Sequence, residues 1–103
     1  MTVLAPKLHA SPWQGVFYIT GGGASLISQL LEVPGASNTV LEALVPYAEK
    51  SLAQLLGKAP EQAVATATAR ALAMAAYKQA NTLAEGKNFG FGASASLVTH
   101  RAK

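Results

Sequence analysis

The chain contains no cysteine and no aspartate, and only 13% of its 103 residues are charged. Without cysteine, disulfides, thiol catalysis and thiolate metal sites are excluded, and the composition fits a cytoplasmic protein. The five glutamates, Glu32, Glu42, Glu49, Glu61 and Glu85, stand far apart. That spacing gives no support to hydrolysis by paired carboxylates. The two histidines, His9 and His100, are separated by most of the chain, so no metal-ligand spacing exists and neither a metal nor a cofactor is expected. Both histidines read as surface residues.

Long apolar runs are also missing. Residues 8–31 carry no Asp, Glu, Lys or Arg, yet Pro12, Gln14, Gly15, three consecutive glycines, Ser25, Ser28 and Gln29 interrupt them. No membrane span fits there. Lys7 and His9 break the N-terminal stretch, so no secretory h-region is expected. Positive charge is sparse in another sense. The net charge is +3, but Lys7, Lys50, Lys58, Arg70, Lys78, Lys87, Arg101 and Lys103 are scattered. Nucleic-acid binders gather their bases into a stripe with interleaved aromatics, so no nucleic-acid partner is expected. Only residues 100–103 are locally basic, and they read as a solvated end.

What is present is an apolar chain of one-domain length. Half of its residues are hydrophobic, unlike a disordered chain. That is a high share for a free monomer and suggests a homo-oligomer or a fused partner domain. Residues 2–10 read as a short helix ended by Ser11-Pro12. Residues 15–20 (GVFYIT) form a β-prone run, which implies a strand buried on both faces. A helix over 24–33 follows, with Leu26, Ile27, Leu30 and Leu31 on one face. Residues 36–39 carry cap chemistry and start a turn of helix. A second strand is expected around 43–45, with Pro46 marking a strand end or sheet edge. A helix over 48–56 aligns Leu52, Leu55 and Leu56, with Gly57 as its C′ residue. The longest helix is expected over 67–84, with Met74 as core filler and Gly86 ending it. A third strand over 89–96 (FGFGASAS) is unusually small in side chain, which implies close approach of backbone or ligand. Strands alternating with helices predict an α/β fold: a three-layer sandwich around a partly parallel sheet.

The chemistry concentrates at Thr20-Gly21-Gly22-Gly23. A strand, a glycine turn and a helix N-terminus expose backbone N–H groups to an anion, and glycine lets a phosphate approach closely. The spacing matches neither GxGxxG nor the Walker A pattern. Local residues therefore leave two readings, a phosphate cradle and a tight packing turn. A second candidate pairs Ser37 with Tyr47, which follows a strand end where sites of open α/β sheets gather. A nucleophilic serine needs a base, and no histidine is placed for it in sequence. The alternative makes Ser37 a helix cap and Tyr47 a core-edge aromatic.

Taken in order, these motifs resemble the CinA C-terminal domain, the fold of bacterial nicotinamide-nucleotide amidohydrolases. That family shows a Ser-Cys-Thr-Gly-Gly turn before a helix. It continues with a Gly-Ser-Ser loop, a strand ending in Thr-Tyr-Ser, and a helix carrying lysine. Here Thr20-Gly21-Gly22-Gly23 stands for the first, Gly35-Ala36-Ser37 for the second and Val45-Pro46-Tyr47-Ala48 for the third. Residues 92–97 resemble the family's late Ser-Gly-Ile-Ala-Gly segment. The resemblance runs from Val16 to Thr99. It implies hydrolysis of nicotinamide mononucleotide to nicotinate mononucleotide and ammonia, with Ser37 as nucleophile and Tyr47 as its partner. It also implies ligand contacts at Thr20, Gly21, Gly22, Gly23 and Ser94.

Two departures bear on that expectation. The family's lysine falls five residues after the tyrosine, where this chain has Leu52. Lys50 lies two positions earlier, about 200° round a helix. The family domain also continues beyond the third strand, so residues 1–103 are expected to form an incomplete version of it. The expected role is then a degenerate module that binds a mononucleotide or another phosphate-bearing small molecule. An active amidohydrolase and a ligand-free oligomerisation domain are the alternatives.

Overall fold

A computed structural model of the chain describes residues 4–20, 25–57, 66–94 and 97–101. Its elements are α1 (Leu4–His9), β1 (Trp13–Ile19), α2 (Ser25–Glu32), a 3-10 turn (Ala36–Asn38), β2 (Val40–Leu44), α3 (Glu49–Leu56), α4 (Thr66–Leu83), β3 (Lys87–Ala93) and β4 (Leu97–Arg101). The four strands form one sheet in the order β2-β1-β3-β4. β1 is parallel to both β2 and β3, and β4 is antiparallel to β3. The sheet is therefore partly parallel, with helices on both faces, and the fold is α/β.

Period-two alternation sorts each strand between two cores. Phe17, Ile19, Phe89 and Ala93 face α1 and α2, where Leu8, Leu26, Ile27 and Leu30 cover them. Phe17 meets Phe89 edge-on at 5.4 Å between ring centres, a favoured aromatic geometry. Val16 and Tyr18 face the other way, against Leu52 of α3 and Leu72, Ala76 and Ala80 of α4. β1 is buried from Gly15 to Ile19, as a central strand with helices on both faces should be. On β2 the register slips between Gly15 and Val16 of β1. Leu41 then joins the α3/α4 core while Val40 and Ala43 join the other.

The small residues of β3 are explained by backbone rather than ligand. A Cβ on Gly90 would strike the backbone of α4 at Tyr77 and Ala73, and one on Gly92 would strike it at Ala69 and Ala73. α4 answers with Ala69, Ala73, Ala76 and Ala80, all fully buried. Helix and strand thus meet almost backbone to backbone.

Several expectations need correction. The third strand ends at Ala93, and a further strand, β4, takes in His100 and Arg101 of the segment read as a solvated tail, whose last two residues lie outside the described ones. His100 on β4 packs edge-on against Tyr77 at 4.9 Å. Met74 is 40% exposed on the outer face of α4, so it fills no core. Gly86 has φ 124 but follows the end of α4 at Leu83. The helix is closed instead by Asn88, whose amide nitrogen donates to the carbonyls of Ala84 at 2.8 Å and Ala80 at 3.4 Å. Gly57 does terminate α3 in the left-handed region, at φ 80. No helix among the described residues is long and apolar enough to cross a membrane.

Candidate functional site

Parallel strands put their carboxyl ends along one edge of a sheet, and ligands of open α/β sheets bind outside that edge. Thr20 follows β1, Tyr47 lies just beyond β2, and Ser94 follows β3. The Thr20 amide donates to the Ala93 carbonyl at 2.8 Å. Thr20 and Ser94 are thereby neighbours, both half-buried. Gly21, Gly22 and Gly23 lie outside the described residues. They connect Thr20 to Ala24 and α2, the position the anion-turn reading requires.

Beside this edge, the chain leaving β2 and one side of α3 line an open pocket of about 360 Å³. Its lining combines Leu44, Val45, Pro46 and Leu55 with the polar side chains of Ser51 and Gln54. Pro46 is buried, while Leu44 and Val45 are nearly half-exposed and Tyr47 is 82% exposed. That exposure corrects the reading of Tyr47 as a core-edge aromatic.

Ser37 sits elsewhere. It belongs to the 3-10 turn that precedes β2, next to the amino ends of the strands. The Thr39 carbonyl, two residues on, accepts from the Gly15 amide at 2.7 Å. Ser37 and Tyr47 therefore flank opposite ends of β2, whose five residues span about 16 Å at ~3.3 Å each. The structure brings Thr20, Ser94 and Tyr47 to one edge and does not bring Ser37 to it. Nor is Ser37 a cap. The capping position is Gly35, in the left-handed region at φ 93, with no side-chain cap bond.

Leu52 is 8% exposed and packs with Val16, Tyr18 and Leu72. Lys50 is exposed, on a different face of α3. Nothing about Leu52 departs from a packing residue.

Two polar arrangements escaped the sequence. Tyr18, 3% exposed, donates its hydroxyl to Glu42 Oε1 at 3.2 Å across the β1–β2 pair. Burial, then the Glu42 charge, then that hydrogen bond push the Tyr18 pKa up to about 12. The phenol consequently stays protonated at neutral pH and offers no base. The second is His9, read as a surface residue but only 5% exposed. Its ring lies 2.6 Å from Thr39 Oγ1 and 2.9 Å from the Leu30 carbonyl. The partners are 30 and 21 residues away, so no local pattern could reveal them. Among the described residues, no group of three His, Cys, Asp or Glu could hold a metal ion.

No family model matches the chain. It is similar to a CinA-like protein of Shewanella denitrificans, 34% identical over an 84-residue alignment, with 73% of this chain covered. This similarity supports a CinA-like family. The aligned region is about 20% of that relative's length, so the chain spans only a small part of the relative it matches. The resemblance read from the motif order and this similarity agree at the level of CinA-like proteins.

Proposed function

We propose that this CinA-like domain binds a phosphate-bearing small molecule, a mononucleotide in the first instance, at the carboxyl edge of its parallel strands, and that it does not hydrolyse the amide of nicotinamide mononucleotide. The observation that carries the reading is the division of the candidate residues. Thr20 and Ser94 stand together where the glycine turn begins, with Tyr47 and the 360 Å³ pocket on the same edge. Ser37 stands about a strand's length away, and the position where the resemblance expects a lysine holds the buried Leu52. Thr20 and Ser94, the described residues assigned here to binding, are neighbours, whereas Ser37 and Tyr47 of the amidase scheme lie at opposite ends of β2. An amidase lacking both a nucleophile–partner contact and the cation would lose orders of magnitude in rate. A glycine turn leading into a helix is the arrangement that offers backbone N–H donors and a favourable dipole to a phosphate. Hydroxyls at Thr20 and Ser94 flank them.

The test is calorimetric titration with nicotinamide mononucleotide, nicotinamide riboside and inorganic phosphate, with ammonia release measured in parallel. The proposal expects binding that needs the phosphate group, weakened by Gly22→Val, and no ammonia. Sustained turnover abolished by Ser37→Ala would establish the amidohydrolase instead.

One observation favours a second reading, an oligomerisation domain. β2 is an edge strand, and exposed Leu44, Val45 and Tyr47 continue its line, as a sheet edge awaiting a partner would. A concentration-dependent mass that Tyr47→Glu reduces to a monomer, with no mononucleotide binding, would support that reading.

A further inference from the structure

Among the described residues the sheet has two edge strands, β2 and β4. They differ in what a second copy of the chain would meet. Antiparallel self-pairing of β2 about its central residue sets Glu42 opposite Glu42, and like charges directly opposite are destabilising. The same operation on β4 centres on Thr99. It pairs Leu97 with Arg101 and Val98 with His100, and opposes no like charges. α4 is aligned with that centre. It crosses β3 closely at Gly90, beside Tyr77 and Ala73, and at Gly92, beside Ala69 and Ala73. Phe91 between them is therefore level with Ala73 and Met74, and Phe91 is the β3 partner of Thr99. The His100 ring on Tyr77 marks the flank of α4 that overhangs β4. Arg70, Met74 and Tyr77 recur at spacings of four and three, so they form one stripe along that flank. Met74 stands outermost in the stripe, 40% exposed, and Arg70 is exposed as well.

We propose that the chain forms a two-fold dimer by pairing β4 with β4 of a second copy, with the two Met74 side chains meeting over the seam. Such a contact is isologous, so every residue acts twice. α4 lies over β3, and the two α4 axes therefore stand three strand spacings apart, ~14 Å. A helix with its side chains is ~10–12 Å across, so the helices do not interlock and long side chains close the gap. The two-fold axis passes beside Ala73 and Met74, which brings the methionines together. It also sets Arg70 of each copy opposite the partner's Tyr77, a cation facing an aromatic ring. The two Arg70 positions are offset by seven residues along the seam, ~10 Å at about 1.5 Å per residue, which is about one Debye length. The sheet extends sideways through this pairing. The carboxyl edge with Thr20 and Ser94 stays open, and the contact lies at the opposite side of the sheet from β2.

The test uses the full chain, whose lack of cysteine makes any introduced thiol unique. Sedimentation velocity over a concentration series should show a monomer–dimer equilibrium. Met74→Glu sets two carboxylates at the axis and should raise the dimer Kd at least tenfold, with circular dichroism and Tm unchanged. Leu83→Glu, at a comparably exposed apolar residue off the stripe, should leave the Kd as it is. Met74→Cys should cross-link with a short bismaleimide, because its two Cα atoms stand about 9 Å apart, too far for a disulfide. Tyr47→Cys should not cross-link. A monomer at every concentration would overturn this dimer and the β2 oligomer together. A dimer that cross-links through Tyr47→Cys and not through Met74→Cys would overturn the β4 seam and leave the β2 oligomer standing. A Kd unmoved by Met74→Glu, or moved equally by Leu83→Glu, would also overturn the seam. None of these readouts involves a ligand, so failure of mononucleotide binding leaves the test intact.

Discussion

Gly90→Ala is the sharpest test of how this domain is packed. A methyl group at that position would stand 2.7 Å from the Tyr77 Cα and nearer still to the Tyr77 nitrogen and the Ala73 oxygen. These are backbone atoms of a helix, so no side chain can swing aside. Ordinary contact begins near 3.4 Å, so clearing the Tyr77 nitrogen at 2.2 Å takes a retreat of about 1.2 Å by α4 unless the strain is shared. A gap of only ~0.5–1 Å already forfeits a quarter to a half of each contact it opens. Leu72 makes some 40–60 contacts worth roughly 0.1–0.2 kcal/mol each. Opening those that face the sheet costs about 1 kcal/mol, and Ala73, Ala76 and Ala80 add about as much again. With the residual strain of overpacking, the total is about 3 kcal/mol, near the top of the usual range. Urea denaturation followed by circular dichroism should show a midpoint lower by about 1.5 M and a Tm lower by about 15 °C. Gly57→Ala is the control. Nothing lies within 4 Å of its Cβ position, but its φ is 80, so it carries only the left-handed penalty of about 1 kcal/mol. If Gly90→Ala loses no more stability than Gly57→Ala, the backbone-to-backbone seam is not as described.

Three further outcomes are expected. The Tyr18 pKa is raised to about 12 from an ordinary 10. Its contribution to stability is therefore full below pH 10 and is lost as pH rises towards 12. Ultraviolet titration should show a late phenolate step that Tyr18→Phe removes, and that variant should lose less stability than the parent between those pH values. Asn88→Ala leaves the carboxyl end of α4 and Gln14 without their partner; chemical denaturation should register a loss of about 2 kcal/mol, and a loss below ~0.5 kcal/mol would count against the capping role. Leu52→Lys places an ammonium in the α3/α4 core and should cost several kcal/mol. It should release no ammonia from nicotinamide mononucleotide, because Ser37 remains at the far end of β2.

The parts of the fold visible in the sequence were those set by neighbours along the chain. β1 announced itself through a run of β-branched and aromatic residues, α2 and α3 through leucines at helical spacing, and the end of α3 through Gly57. β4 was missed because its five residues follow Gly92-Ala93-Ser94-Ala95-Ser96, a stretch too small in side chain to signal a reversal, and because a basic tail is usually solvated. His9 was missed for a different reason: a lone histidine on a six-residue helix has no local partner, and its contacts are set by how α1 meets α2 and the 3-10 turn. The pairing of Ser37 with Tyr47 failed on direction. The signal was available, since one residue precedes β2 and the other follows it, and an extended strand must hold them apart. The glycine turn was legible as a motif and as a place in the fold, between β1 and α2. Its chemistry depends on backbone N–H directions, which residue types alone do not determine.

The sheet is closed by strands made far apart in time. β1 lies between β2 and β3, and the residues it matches on β3 are 74 positions later, as Gln14 is from Asn88. During synthesis at about 5–20 residues per second, β1 waits roughly 4–15 s for its second neighbour. Through that interval a buried, strongly apolar strand has one edge bare. Any nascent-chain holdase that recognises extended apolar segments should engage residues 15–19, and let go only when α4 and β3 emerge together.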